Sequence, residues 1–436
     1  MASNPAGRLG RHWDALRASF GFLSGLAMLS AVILGIAVPW LDDALQISLP
    51  VLSFESQSSA RSLLETIGTT TVAVAGLSFS VTVVAFTLAS SQLSPRVLRN
   101  FSSDRLSQVT LALFLGTFVY SLVLLVRLGV TADTGEPPNL SLTLAVVFAL
   151  GSFVTFAGFI AHIINMLQPS SIIASIGIEG SAGLPNRFPT GPGEPEDRQA
   201  VSRTAEQTID SLARRELEAD KGGYLTMVDT GLLIAAATDH EALVRQRVTV
   251  GTYVVPGQVI AEYWSASEPE EAGESIQDSF CIEQQRTLVQ DIAFPVRQLA
   301  DIALKGLSPG INDPTTAQNA IEAMAEFLIE FSRTETPSPV RVDDQGEPRF
   351  IALGPDLDDL VRLGFSQVRV AAGVHPALSL RMLDLIAEIE RAARREGAPT
   401  SELARQRRLI GLGTGHEDPP EEDLEEVRNR AGNPPA

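Results

Sequence analysis

The chain has 436 residues, enough for two or three folding units. Apolar residues make up 45%, yet the net charge is −19, and the two are unevenly spread: residues 1–180 hold 8 Arg, no Lys and 9 acidic residues, which leaves −18 on residues 181–436. That split excludes one uniform globular fold, the lack of a basic footprint argues against a nucleic-acid partner, and the single cysteine, Cys281, excludes an internal disulfide or a cysteine metal cluster.

Four apolar runs match the ~20 helical residues that a bilayer crossing takes. They are Phe20 to Leu41, Thr66 to Gln92, Leu111 to Val126 (extended by polar neighbours from Ser107) and Leu140 to Leu167. The first run is too long for the apolar core of a cleaved signal peptide, and no small-x-small site follows it cleanly. Arg8, Arg11 and Arg17 precede span one, and Arg96, Arg99 and Arg105 lie between spans two and three. The other loops carry Asp42, Asp43, Glu55, Glu65, Asp133 and Glu136, with Arg61 and Arg127 as exceptions at span edges. The positive-inside rule then places both termini in the cytoplasm, with Trp40 as an interfacial anchor at the far end of span one.

Span two is rich in hydroxyls. At about 100° per residue, Thr71, Ser78 and Thr82 share one face, and Thr69, Ser80, Thr87 and Ser91 share another roughly opposite. Small hydroxyl residues suit tight helix packing, and they also suit a wet path. Two such faces fit a helix wedged between its own bundle and a symmetry mate or lumen. His162 is the other intramembrane candidate, a sensing group or an interfacial side chain, with Asn165 one turn on. Ser94-Pro95 can open a short amphipathic helix that carries Arg96 and Arg99, and with Arg105 these form a candidate anion or lipid-headgroup site. Positive-inside topology accounts for the same arginines. No span has a carboxylate or lysine at its middle, which argues against a proton pump built on buried acids.

The second half reads as an α+β region. Residues 181–200 form a Pro/Gly-rich linker, followed by a helix from Gln199 to Leu217. A small β-rich module covers 201–272. Its glycines, at 251 and 257, resemble the turns of biotinyl/lipoyl-like barrel-sandwich hybrids, but no lysine sits on a hairpin tip, so no attached cofactor is expected. A helical module covers 273–412. Apolar residues at 288, 289, 292, 296, 299, 300, 303 and 304 predict one helix over Glu283–Leu307, kinked or broken at Pro295. Asn312, Asp313, Thr315 and Thr316 form a polar turn. Asp313 can cap the helix that begins at Pro314, and such a turn can also hold an ion or phosphate. A hairpin at Val340–Ala352 and helices at 356–372, 376–396 and 401–410 complete the module. The acidic tail, 413–436, is expected to be disordered.

No Walker A loop, dinucleotide fingerprint, zinc-protease motif or nucleophile elbow is present, and the five histidines are scattered. No metal site, cofactor or enzymatic activity is expected. Three stretches are nonetheless distinctive: Ser59–Ile67, Ala89–Phe101, and Ile292-Ala-Phe-Pro-Val-Arg-Gln-Leu-Ala-Asp-Ile-Ala-Leu-Lys-Gly-Leu-Ser-Pro-Gly-Ile-Asn-Asp-Pro-Thr-Thr-Ala317. Together they resemble the bacterial membrane proteins grouped as domain of unknown function 2254. That resemblance implies a four-span membrane protein with a cytoplasmic C-terminal region, and it carries over no site residue. The expectation is an inner-membrane protein with cytoplasmic N-terminus 1–18, a four-helix transmembrane domain at 19–170, and the linker and modules above. Its expected partners are the lipid bilayer, further copies of itself and inorganic ions. Two functions follow: a homo-oligomeric channel or passive transport protein, or a non-transporting sensor or scaffold.

Overall fold

The structure is a computed structural model that describes residues 20–45, 56–92, 105–130, 137–187, 193–265, 269–288 and 290–413, with isolated positions beyond. It divides into two compact units, residues 1–171 and 172–436.

The first unit contains four helices: α1 (Phe20–Leu45), α2 (Gln57–Gln92), α3 (Arg105–Val130) and α4 (Asn139–Met166). Each is long and apolar enough to cross a membrane. Helix α2 has 36 residues, about 54 Å at 1.5 Å per residue, so it outruns a ~30 Å hydrocarbon core. Helix α3 is the hub and packs against the other three. Glycines make this closeness feasible. Gly35 presses on Val123 of α3, and Gly116 faces the Ala27 backbone of α1. Leu64, Tyr120, Leu124 and Leu142 are fully buried in the packed core, while Leu29, Ile36, Val126 and Val154 point outward. Exposed apolar faces of this kind need lipid to cover them. Trp40 is 77% exposed.

Helix α5 (Pro169–Arg187), not expected from the sequence, crosses the 171/172 boundary and takes up the start of the expected linker. Its Ile172, Ile173, Ile176 and Leu184 are buried. Gly180 permits the contact, since a Cβ there would lie 3.1 Å from Pro295 and from the ring of Phe327. Next come α6 (Arg198–Ser211), β1 (Arg214–Glu218), β2 (Gly223–Val228), α7 (Thr230–Asp239), β3 (Ala242–Gln246), β4 (Tyr253–Val254), β5 (Val259–Ser265), α8 (Pro269–Gln277) and β6 (Phe280–Glu283). The helix expected over Gln199–Leu217 stops at Ser211. Residues 214–218 instead pair antiparallel with β5, drawn by cross-strand contacts such as Arg214 to Glu262 at 3.0 Å.

Helices α9 (Ala293–Gly306) and α10 (Pro314–Arg333) form a helical hairpin. Helix α9 starts ten residues later than the apolar pattern predicted. Residue 283 ends a strand, and Pro295 falls in the first turn of α9, where a missing N–H costs nothing, so no kink is needed. Strands β7 (Val340–Val342) and β8 (Pro348–Ile351) make the expected hairpin. Helices α11 (Leu357–Ala372), α12 (Pro376–Arg395) and α13 (Ser401–Gly411) follow close to their predicted bounds.

The strands form a five-stranded sheet, ordered β1-β5-β3-β8-β7, and a three-stranded sheet, ordered β4-β2-β6. The late hairpin enters the early sheet through a parallel β3–β8 pairing, Val244 to Phe350. Phe350 and Ile276 lie in one core with Leu225, Val244 and Ile260, so the two expected modules share a sheet and a core. Gly251 (φ +90°) and Gly257 (φ +79°) hold the left-handed turns that the glycine spacing implied. On the helical side, Phe294, Leu299, Met324, Phe327, Phe365 and Ile386 are buried, each from the apolar face of an amphipathic helix.

Candidate functional site

The hydroxyls of α2 divide as their spacing implied. Thr71 and Ser78 are buried and Thr82 is half-buried, all against the protein's own bundle. Thr69, Ser80 and Thr87 are exposed on the outer face, where Gly76 also opens onto empty space. Four of these hydroxyls bond back to their own helix: Thr71 to the Ile67 carbonyl at 2.7 Å, Ser78 to Val74 at 2.8 Å, Thr82 to Ser78 at 2.9 Å and Thr87 to Val83 at 2.8 Å. Back-bonding spends the proton and leaves the oxygen able to accept. Ser91 lies in α2, but its side chain is outside the described residues. So are Arg96 and Arg99 in full, while Arg105 is exposed at the first position of α3. His162 is half-buried near the end of α4, and Asn165 one turn on is exposed.

The structure adds a polar core on α3 that the sequence reading passed over. Ser107, Thr110, Thr117 and Ser121 are all buried, at spacings of three, seven and four residues that define one helical face. Thr117 meets Ser152 of α4 at 3.1 Å, between two side chains that are both buried. Ser121 lies against Gly68 of α2 and, like Ser24 of α1, has a buried oxygen with no hydrogen-bond partner among the described residues. The spacing is legible in the sequence, beside the longer hydroxyl run of span two.

At one end of the bundle, Asp42 is 8% exposed and belongs to α1, although the sequence placed it in a loop. Its carboxylate accepts from the Ser141 backbone N–H at 3.2 Å and faces the Ser141 hydroxyl at 3.4 Å. Ser141 is the third residue of α4, so Asp42 acts as an N-cap supplied by another helix. The Tyr120 hydroxyl donates to the Ser141 carbonyl at 3.1 Å. Arg61 of α2 donates to the Leu128 carbonyl, in the last turn of α3, at 2.6 Å. Charged groups thus complement both helix ends, each with the sign that the macrodipole favours.

The polar turn in the second unit resolves as a cap. Asp313 accepts from the Thr316 N–H at 3.0 Å and from its hydroxyl at 2.6 Å. The Thr316 hydroxyl, with the N–H groups of Thr316 and Thr315, holds the Asp313 carboxyl below the usual range despite some desolvation. Asn312 and Thr315 are exposed, and Asn312 takes a left-handed φ of +47°. The turn returns on itself, with the Asp313 N–H donating to the Gly306 carbonyl at 2.7 Å. Capping thus occupies both carboxylate oxygens of Asp313.

Four apolar helices around a hydroxyl-bearing core, followed by an α+β unit, define a multi-span α-helical membrane protein. The chain belongs to the family described as "Predicted membrane protein (DUF2254)", which it matches over residues 17–388, in agreement with the motif resemblance. It is 31% identical over 339 residues to the uncharacterized protein Rv1290c of Mycobacterium tuberculosis and equally to the uncharacterized protein Mb1321c of Mycobacterium bovis. Each alignment covers 76% of this chain and 63% of the relative, so the chain spans less than two thirds of those relatives' length. No solved structure matches it.

Proposed function

We propose that the protein is a homo-oligomeric channel or passive transport protein of the bacterial inner membrane, with both termini in the cytoplasm and no enzymatic activity. The observation that carries this reading is the outer face of α2. Thr69, Ser80 and Thr87 are exposed there, beside an uncovered Gly76, on a helix whose opposite face is already buried in its own bundle. A lipid-facing helix gains nothing from such a face. Around a symmetry axis, the same face supplies close approach and oxygen acceptors for an ion. The −18 on residues 181–436 is a field that would favour cations over anions. A path for anions would instead draw on Arg96, Arg99 and Arg105. The test is ion flux through the purified protein in liposomes, with K⁺ and Cl⁻ gradients run separately. Ser80→Leu and Thr87→Leu should block flux. Unchanged flux in both removes α2 from the pore.

One observation favours a second reading, a membrane-anchored sensor or scaffold. Each hydroxyl of α2 that bonds back to its own helix needs no water to satisfy its proton. Absence of flux from well-folded protein under any gradient selects that reading.

A further inference from the structure

The second unit holds a cleft of about 880 Å³ where the five-stranded sheet meets the helical layer. Small-molecule sites run from about 300 to 1,000 Å³. The floor of the cleft is apolar, with Ile292, Phe331, Phe350 and Leu357 all buried. Four prolines at 337, 339, 355 and 399 stand in its walls. Their fixed φ stiffens those loops, so little order would have to be bought on binding.

Its lining sets three arginines against three carboxylates, Glu335, Asp356 and Glu396, in a chain of net charge −19. Arg198, Arg333 and Arg341 all line it. Arg198 and Arg341 share one carboxylate, Glu194, at 3.0 and 2.6 Å. Burial and the nearness of Arg198 push the Arg341 guanidinium down, against the pull of Glu194. The second partner of Arg198, Glu335 at 3.2 Å, is 77% exposed, so that pair is weak. Arg333, at the end of α10, is exposed and has no carboxylate partner among the described residues. Of the other acids on the lining, Asp356 is committed to the N–H of Asp359 as the cap of α11, and Glu396 has no ion pair among the described residues. A cation at a helix C-terminus is ordinary. Helix-end chemistry does not, however, explain a preformed apolar basin beside two more guanidinium groups.

We propose that this cleft binds a nucleoside phosphate, with the phosphates on Arg333 and Arg198 and the base over the accessible apolar lining at Val250, Ala352 and Leu353. Guanidinium forks match phosphate oxygens, and an accessible apolar surface suits a flat ring. The body and the charge are both required, because Arg198 and Arg333 alone are too exposed and the apolar surface alone selects nothing. Nucleotide binding here and ion flux through the first unit are separable, since either can fail while the other stands.

The test is calorimetric titration of the full chain in lipid nanodiscs with ATP, and with adenosine and inorganic tripolyphosphate as its two halves. ATP should bind saturably, and each half at least tenfold more weakly. Arg333→Ala should weaken ATP at least fivefold, with Arg333→Lys recovering part of the loss. Leu353→Trp, a half-exposed position on the lining, should fill the cleft and block ATP. Both sites are surface-accessible, so a melting curve confirms that the variants fold. The proposal is overturned if folded protein takes up no ATP, if either half binds as tightly as ATP, or if Arg333→Ala or Leu353→Trp leaves ATP affinity unchanged.

Discussion

Arg286 grips Asp291 with two parallel hydrogen bonds, Nε to Oδ2 at 2.7 Å and Nη2 to Oδ1 at 2.9 Å, in a pair of which the carboxylate is 1% exposed. The guanidinium also lies over the ring of Phe294, 5.0 Å from its centroid. Gly251 comes so near, at φ +90°, that a Cβ would land on the carboxylate. The pair therefore ties a turn of the β-layer to the start of α9. Removing one partner of such a buried pair strands the other charge. Asp291→Ala is expected to cost about 3–5 kcal/mol in the second unit. Gly251→Ala adds steric overlap to backbone strain and should cost more than about 1 kcal/mol. Denaturant unfolding followed through the second unit measures both, and a loss below about 1 kcal/mol in Asp291→Ala would show the pair to be dispensable.

Asp313 makes a pH-dependent contribution whose sign is fixed. Its folded carboxyl is held below the ordinary range by Thr316. The stabilisation is therefore complete above the unfolded carboxyl value of about 3.9 and disappears as pH falls through the lower folded value. Asp313→Ala should cost about 1 kcal/mol near neutrality, as the loss of an N-cap does. The gap between wild type and variant should close toward pH 3. Melting temperatures of both proteins, taken across pH 3 to 7, check this. A gap that persists undiminished at the acid end would contradict it.

The two faces of α2 should respond in opposite ways. Ser78 is 3% exposed, so Ser78→Leu overpacks the bundle and should cost about 1–3 kcal/mol within a single protomer. Ser80 is exposed, and Ser80→Leu should leave protomer stability unchanged while altering assembly or flux. Unfolding in detergent, paired with chemical cross-linking in membranes, separates the two effects. Equal destabilisation by both variants would remove the distinction.

Asp42 offers a charge-specific test in the first unit. Asp42→Asn retains an oxygen for the Ser141 N–H, whereas Asp42→Ala leaves the α4 N-terminus uncapped. The alanine variant should lose about 1–2 kcal/mol and the asparagine variant a smaller amount. Detergent-based thermal unfolding gives the order. If the two variants match, the bond to α4 contributes nothing.

Much of this architecture was written in local patterns. Span lengths, the caps at Asp313 and Asp356, and the amphipathic stripes of α10 to α13 all depend on neighbours a few residues away, and the bounds found lie close to those expected. Misreadings arose where distant partners decide. Residues 214–218, Arg-Arg-Glu-Leu-Glu, suit a helix by composition and become a strand because β5 is there to pair with them. The same holds for α5, whose Gly180 makes sense only once Pro295 and Phe327 are placed beside it. Of the site, the two-faced character of α2 was legible from period alone. The role of Asp42 was not, because its partner Ser141 lies 99 residues away.

The parallel pairing of β3 with β8 sets a timetable for synthesis. Strand β3 ends at Gln246, and its neighbour β8 begins at Pro348. A nascent chain therefore carries one side of β3 unpaired while about a hundred further residues are made, a loop closure that is slow to complete. A chain that stops short of Pro348 keeps that edge open to other strands and lacks Phe350 at its core. Truncations that fall between Gln246 and Pro348 should thus be recovered as aggregates, even when every membrane span has been inserted.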